Sequence, residues 1–308
     1  MILLCGIATE APLELVASEL RSMGQGFVFL HQRSWQDCDA AVQVAGGDVT
    51  GRLRLGPLVL RLEDVTAVYT RLMDDRFLPE VRGLPATEPR RRRCRALHDT
   101  VTRWLELTQA RVINRSVPQA SNASKPYQAQ LIRRHGLRVP ETLVTNDPEA
   151  VLRFRAEHGR VIFKSLSGVR SVVHELADAD IERLDAIRWC PVQFQAFVPG
   201  TDVRVHCVGG QAFAARIDSD ATDYRYAAGQ VGERASLSDF ELDGDVAERC
   251  LRLTAHLGLE LAGIDLRVTP NGETYCFEVN PSPAFSYYET HTGQPIARAI
   301  ARHLVDAG

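Results

Sequence analysis

The chain has 308 residues, of which 45% are hydrophobic and 24% charged, and a formal net charge of -3. That length holds two or three domains of ordinary size, each able to bury its own core. The slight acidity argues against general nucleic-acid binding, which shows as a strongly basic domain, and no apolar run approaches the roughly 18 residues of a membrane span. Seven cysteines are scattered, odd in number and without a CxxC pair. They read as reduced thiols of a cytoplasmic protein, with neither a disulfide framework nor a zinc site. The nine histidines are likewise dispersed.

In chain order, MILLCGIA reads as a buried first strand, since it lacks the basic region of a signal peptide. PLELVASELRSMG is an amphipathic helix closed by Gly24, and GFVFLHQR is a second strand. Together they make a βαβ opening, which implies a parallel sheet with ligands at the carboxyl ends of its strands. Short strands follow around VAGGDVTGRLRLGPLVL. The strand AVYTRLMDD then places Arg71, Asp74 and Asp75 at its carboxyl end, where they either bind substrate or cap a turn. PRRRRCRAL is the one concentrated basic patch. It reads as the solvated start of a helix, with phosphate or acidic-peptide binding as the alternative. In LHDTVTRWLELTQ the residues Leu97, Val101, Trp104, Leu105 and Leu107 repeat at helical spacing.

RVINRSVPQASNASKP is polar and rich in Ser and Asn, which marks a first domain boundary. A helix is expected from Pro126 to about His135, and another from Asp147 to His158 opened by Asp-Pro. RVIFKSLSG is a buried strand carrying Lys164. A lysine among apolar residues needs a partner, and the Ser/Gly loop after it, with Ser167, lets backbone N–H groups approach an anion. The alternative is an edge-strand lysine that snorkels. CPVQFQAFVPG is a further strand, and TDVRVHCVGGQAFAARI a hairpin through Gly209-Gly210. Asp202 and Arg204 share one face of it, and Arg225 lies in the loop DATDYRYAAGQ. Paired with a divalent metal, two arginines hold phosphate oxygens by bidentate hydrogen bonds. Taken singly, each arginine reads as structural.

The stretch LAGIDLRVTPNGETYCFEVN reads as two strands joined at Asn271-Gly272, the dipeptide of a two-residue type I′ turn in which both residues need φ > 0. That register sets Asp265 opposite Glu278 and Gly263 opposite Asn280. Ile264, Leu266, Phe277 and Val279 then point to the other face. Opposed carboxylates destabilise a sheet, so a cation is expected between them, and hard oxygen ligands suit Mg²⁺ or Mn²⁺. The alternative is the polar outer face of an ordinary hairpin.

These residues, in this order, resemble the ATP-grasp superfamily of carboxylate-amine ligases, most closely the branch of ribosomal-protein-S6 glutamate ligase and glutathione synthetase. The resemblance spans roughly Ser121 to Leu304. SKPYQAQLIRRHGLRVPETLVT, VIFKSLSG, VQFQAFVPGTDVRVHCVGG, DYRYA and above all AGIDLRVTPNGETYCFEVNPSP carry it. It implies an ATP-grasp fold of mixed α/β and α+β class. A pre-grasp α/β domain would cover 1–118, a small α+β clamp 119–191 and a catalytic α+β domain 192–308, with ATP between the last two.

The resemblance also implies roles. Lys125 and Lys164 would contact ATP, with Ser167 in the phosphate loop. The backbone of Gln195, Ala196, Phe197 and Val198 would read adenine, and Asp202 would lie near the ribose. Asp265, Glu278 and Asn280 would hold two Mg²⁺ ions, while Arg204 and Arg225 stabilise the γ-phosphate as it moves to a carboxylate. The resulting acyl phosphate would be attacked by an amine. Two departures stand out: Ala196 replaces an acidic hinge residue, and Arg170 sits in a short phosphate loop. PSPAFSYYETHTGQP, with Ser282, Tyr287, Tyr288 and Glu289, is where an acceptor is expected, or else a packed loop. The substrate is then an amino acid or peptide, or two small metabolites, and the enzyme a possible homo-oligomer. A regulatory nucleotide-binding protein without turnover is the reading from another class.

Overall fold

The computed structural model describes residues 1–165, 173–219 and 236–307. Its first sheet is parallel throughout, in the order β2-β1-β6-β7, built from β1 (Ile2–Gly6), β2 (Phe27–His31), β6 (Ala67–Thr70) and β7 (Arg111–Ile113). Leu3, Leu4 and Cys5 of β1 are fully buried, as a parallel strand covered on both faces requires. One face packs on the helix Pro89–Leu107 through Val101, Trp104 and Leu105. A small antiparallel sheet, β3 (Cys38–Ala45), β4 (Asp48–Leu55) and β5 (Leu58–Arg61), joins the same core through Cys38, Leu53 and Leu60.

The second face meets the helices Ala11–Ser22 and Ile296–Val305. The latter also covers one end of a five-stranded antiparallel sheet in the order β14-β13-β12-β15-β16. Its strands are β12 (Thr201–Val208), β13 (Gln211–Asp218), β14 (Ser236–Asp239), β15 (Leu261–Val268) and β16 (Thr274–Asn280). Ile2, Leu4, Tyr69, Val208, Ala215, Leu261 and Ile300 therefore belong to one continuous core. The opposite face of the large sheet, with Val203, Val205, Ile264, Leu266, Cys276 and Val279, packs on the helices Lys125–Arg134 and Gly244–His256.

A third, four-stranded sheet runs β10-β9-β11-β8, from β8 (Thr142–Thr145), β9 (Val161–Ser165), β10 (His174–Glu175) and β11 (Val192–Ala196). Its core is small, with Val151 of the helix Pro148–His158 against Val161 and Phe194.

The β15–β16 hairpin differs from the sequence expectation in two ways that cancel. Among the described residues none other than glycine has positive φ, so Asn271-Gly272 is not a type I′ turn. Only Gly272, at φ 82°, is left-handed, and Thr269 N–H bonds Glu273 C=O around a three-residue loop. That loop shifts the pairing by one residue, giving Val268 opposite Thr274 and Leu266 opposite Cys276. A β-bulge between Asp265 and Leu266 then shifts it back, so Asp265 faces Glu278 and Gly263 faces Asn280. The bulged strand carries the extra residue, Phe277. Cys276, and not Phe277, therefore fills the core beside Leu266, while Phe277 lies under the Arg267 guanidinium at 5.4 Å. By contrast Gly209-Gly210, at φ 54° and 76°, turns as expected. The segment Ser286–Thr292, read from sequence as a loop, is a helix.

Candidate active site

One row across the large sheet holds three charges, and a fourth flanks it from the helix Lys125–Arg134. Arg204 on β12, Asp265 on β15 and Glu278 on β16 are register partners. Arg204 Nη1 donates to Asp265 Oδ1 at 2.5 Å, and Lys125 Nζ lies 3.5 Å from Glu278 Oε2. The order across the row is cation, carboxylate, carboxylate, cation. The countercharge that opposed carboxylates require thus comes from Arg204 and Lys125 in this structure, so their opposition alone does not demand a metal. Arg204 is 6% exposed, which makes its pairing costly to break.

The next row pairs Asp202 with Arg267. The pair is bidentate, with both N–H···O distances at 2.8 Å, and Arg267 also donates to the Val198 carbonyl at 3.0 Å. On the other side of the four-charge row, Asn280 faces Gly263, and its Oδ1 accepts from Ser282 N–H at 3.0 Å. Gly263 has to be glycine for steric reasons. A Cβ there would meet Pro283 Cβ at 2.7 Å and Arg204 Nη2.

The supports of this row were not singled out in the sequence. Gln128, one turn after Lys125 on the same helix, is 2% exposed. It bonds both backbone groups of Val279, at 2.9 Å each. Asn114, at the carboxyl end of β7, donates to the carbonyls of Leu261 and Pro281 at 2.6 Å and accepts from the N–H groups of Glu260 and Leu261. His206, two residues after Arg204, is fully buried against the Tyr288 ring at 4.9 Å, and neither ring nitrogen has a hydrogen-bond partner among the described residues. Burial, reinforced by Arg204, pushes its imidazole well below the ordinary 6.5. Gln128 follows Lys125 by a helical i,i+3 step, which sequence can show. The tertiary partners of Asn114, His206 and Arg267 leave no such signal.

Lys164 is 7% exposed on β9, in register with Gln193 of β11. At the end of β11, Ala196 N–H bonds the Glu141 carbonyl and Phe197 N–H the Arg160 carbonyl. Gln195 donates to Thr142 Oγ1 at 3.0 Å. The Phe197 ring is stacked by Arg160 at 3.7 Å. Ser167, Arg170 and Arg225 lie outside the described residues.

A cavity of about 500 Å³ opens at the carboxyl ends of β1, β6 and β7, lined by Arg71, Glu10, His98, Asn114, Gln119 and Ser282 among others. Parallel sheets bind ligands at that edge. Arg71 Nε donates to Glu10 at 2.7 Å, and its Nη1 donates to Ser282 Oγ and the Pro283 carbonyl at 3.2 Å. The arginine therefore ties the parallel sheet to the loop after Asn280.

Other expected residues are elsewhere. Asp74 caps a short 3₁₀ turn and pairs with Arg76, which holds its carboxyl down at about 2. It does not line the cavity. Tyr287 is 44% exposed and stacks on His291 at 4.3 Å, whereas Tyr288 is buried beneath Arg204 and His206. In the basic run, Arg91 bonds the Leu84 carbonyl, Arg93 the Gln36 carbonyl, and Arg95 pairs with Asp75 at 2.9 Å. These three fasten the helix to its neighbours, which leaves less for an acidic partner.

The donor set of Asp265, Glu278 and Asn280 is all oxygen and only partly buried, with both carboxylates in register. It fits a magnesium ion that keeps waters and shares phosphate ligands. The arrangement of sheets is that of the ATP-grasp fold. Residues 122–304 match the family model described as RimK-like ATP-grasp domain, and the chain belongs to that family. A probable alpha-L-glutamate ligase of Marinomonas sp. (strain MWYL1) is 26% identical over 215 residues, 66% of this chain and 70% of that protein. The RiPP-associated ATP-grasp ligase of Chryseobacterium gregarium, solved with ADP and a leader and core peptide, superposes with a TM-score of 0.84 at 23% identity, covering 100% of this chain and 97% of that one. The ATP-grasp ligase PsnB, solved with a phosphomimetic variant of a minimal precursor, Mg and ADP, gives 0.78 at 26% identity, covering 99% and 98%. The chain is an ATP-dependent ligase that forms carbon–nitrogen bonds. Among the described residues no helix is long and apolar enough to cross a membrane.

Proposed function

We propose that this ligase joins a peptide carboxylate to an amine through an acyl phosphate. The observation that carries the chemistry is the row of Arg204, Asp265 and Glu278 on one face of the sheet, closed at the sheet edge by Lys125 of the helix Lys125–Arg134. The peptide reading is supported by full-length similarity to two ligases solved with peptides, and by the cavity beside Ser282.

Asp265, Glu278 and Asn280 would hold two magnesium ions, or manganese. Bound metal supplies the charge that neutralises the phosphate oxygens. Lys125, Lys164 and Arg204, with Ser167 and Arg225, hold the phosphates of ATP. The Phe197 carbonyl and Val198 N–H read the adenine edge, since the Ala196 and Phe197 N–H groups are already bonded. Asp202, fixed by Arg267, borders the ribose. The nucleotide would lie between the four-stranded sheet and the large sheet, and because β11 (Val192–Ala196) belongs to the four-stranded sheet, the clamp runs from about 119 to 196 and does not end at 191.

Arg71, set by Glu10 and reaching Ser282, orients the substrate carboxylate. One carboxylate oxygen attacks the γ-phosphorus, the bond to ADP breaks, and the mixed anhydride forms. The amine nitrogen then attacks the acyl carbon, phosphate leaves, and the nitrogen loses its proton. Positioning and electrostatic stabilisation do the catalytic work, and no protein nucleophile is required.

Incubation with Mg-ATP and pooled acidic peptides, followed by mass spectrometry, tests the reading. Expected is a product lighter than its reactants by one water, with ADP released in equal amount. Products from pooled free amino acids alone would instead favour the two-metabolite reading, and no ADP release with either pool would favour the regulatory binding module.

A further inference from the structure

We infer that Gln128 is a positioning residue for the metal ligands, coupling the helix that carries Lys125 to the strand that carries Glu278 and Asn280. The inference rests on the reading of Asp265, Glu278 and Asn280 as a magnesium site. β16 is an edge strand of its sheet, so the outward backbone groups of Val279 have no neighbouring strand to bond. The Gln128 amide takes that place, with Nε2 donating to Val279 C=O and Oε1 accepting from Val279 N–H, both at 2.9 Å. Val279 is the residue between Glu278 and Asn280, so this one clamp fixes the backbone that aims both ligands. A bulge lies just before it, where the ladder with β15 changes register, so the clamp holds the strand where its pairing is interrupted.

The same clamp fixes a distance. Lys125 and Gln128 are three apart on the helix Lys125–Arg134 and share a face. With Gln128 locked on Val279, Lys125 Nζ is held 3.5 Å from Glu278 Oε2. Leu131 and Ile132 of that helix, buried with Cys276 and Val279, supply the apolar attachment. Gln128 adds the register. Groups that orient metal ligands from outside the coordination sphere are worth roughly 10–100-fold in metal affinity.

The test is a magnesium titration of ADP binding by calorimetry, on the full chain, with ADP affinity in EDTA as the second readout. Gln128→Met keeps length and removes both bonds, Gln128→Glu keeps only the acceptor, and Glu278→Gln is the reference. The expected result is a rise of about tenfold in the half-saturating magnesium concentration for Gln128→Met, with ADP affinity in EDTA unchanged within about twofold. A folded Gln128→Met that titrates like the wild type overturns the inference, as does an equal loss in EDTA, which would mean general loosening. Should Gln128→Met not fold, Gln128→Glu is read by the same criteria. Should neither fold, hydrogen exchange at the Val279 amide of the wild type decides: slowing on addition of magnesium to the ADP complex supports coupling, and no change overturns it. If Glu278→Gln itself leaves the magnesium dependence intact, the metal-site reading fails together with the inference. If only the Gln128 variants do, the inference alone fails.

Discussion

At the scale of single residues, the site is governed by how buried charge and polarity are paired. Asp265 and Glu278 tolerate opposition because Arg204 and Lys125 flank them. His206 is an exception, a fully buried imidazole against Tyr288 without a hydrogen-bond partner among the described residues. Its folded pKa lies below the unfolded value of about 6.5, so the unfolded chain takes up a proton that the folded chain refuses. Stability from this group is present above that value and is lost as pH falls beneath it. Thermal midpoints of the wild type should therefore decline between pH 6.5 and about pH 5 more steeply than those of His206→Leu. Parallel declines would show that another group is responsible. The identities of Asp265, Glu278, Asn280, Arg204 and Lys125 were legible in the sequence because motif and strand alternation place them. His206, Asn114 and Arg267 were not, since each acquires its meaning from a partner more than 60 positions away or from burial that composition does not encode.

At the scale of elements, register decides which side chains meet. Gly263 sits where β12, β15 and β16 align, opposite both His206 and Asn280, and its missing side chain lets Arg204 and Pro283 close over it. Gly263→Ala should push the Arg204 guanidinium off Asp265 and cost about 100-fold or more in turnover. The thermal midpoint should fall as well, because the rigid ring of Pro283 has to move and the buried Arg204 pair is costly to break. Turnover within about twofold of wild type would mean that Arg204 is not a preorganised group. The hairpin shows why register is read from sequence only in part. Alternation correctly predicted the facing of Asp265 and Glu278, yet through a turn type that the chain does not adopt. A three-residue loop and a compensating bulge restore the pairing, and neither leaves a mark in a pattern of period two. Alternation alone therefore puts Phe277 on the face of Ile264 and Leu266, where the structure has Cys276.

At the scale of the molecule, the parallel sheet and the large antiparallel sheet share one core. Arg71, Asn114 and Ser282 stitch them at the cavity. The cavity and the strand that carries Glu278 and Asn280 are therefore parts of one packed body, and the small four-stranded sheet that carries Lys164 has a core of its own. The βαβ opening and the order of later motifs made this layout legible in advance. The junction between the sheets was not, because it is built from hydrogen bonds across more than 140 positions. The central claim is that Asp265 and Glu278 hold the metal through which ATP is used. The direct measurement is ADP release and magnesium-dependent ADP binding in Asp265→Ala and Glu278→Ala, each checked for native folding by circular dichroism. The account predicts folded proteins with turnover abolished and magnesium dependence lost. A folded variant that still ligates at the wild-type rate would contradict it.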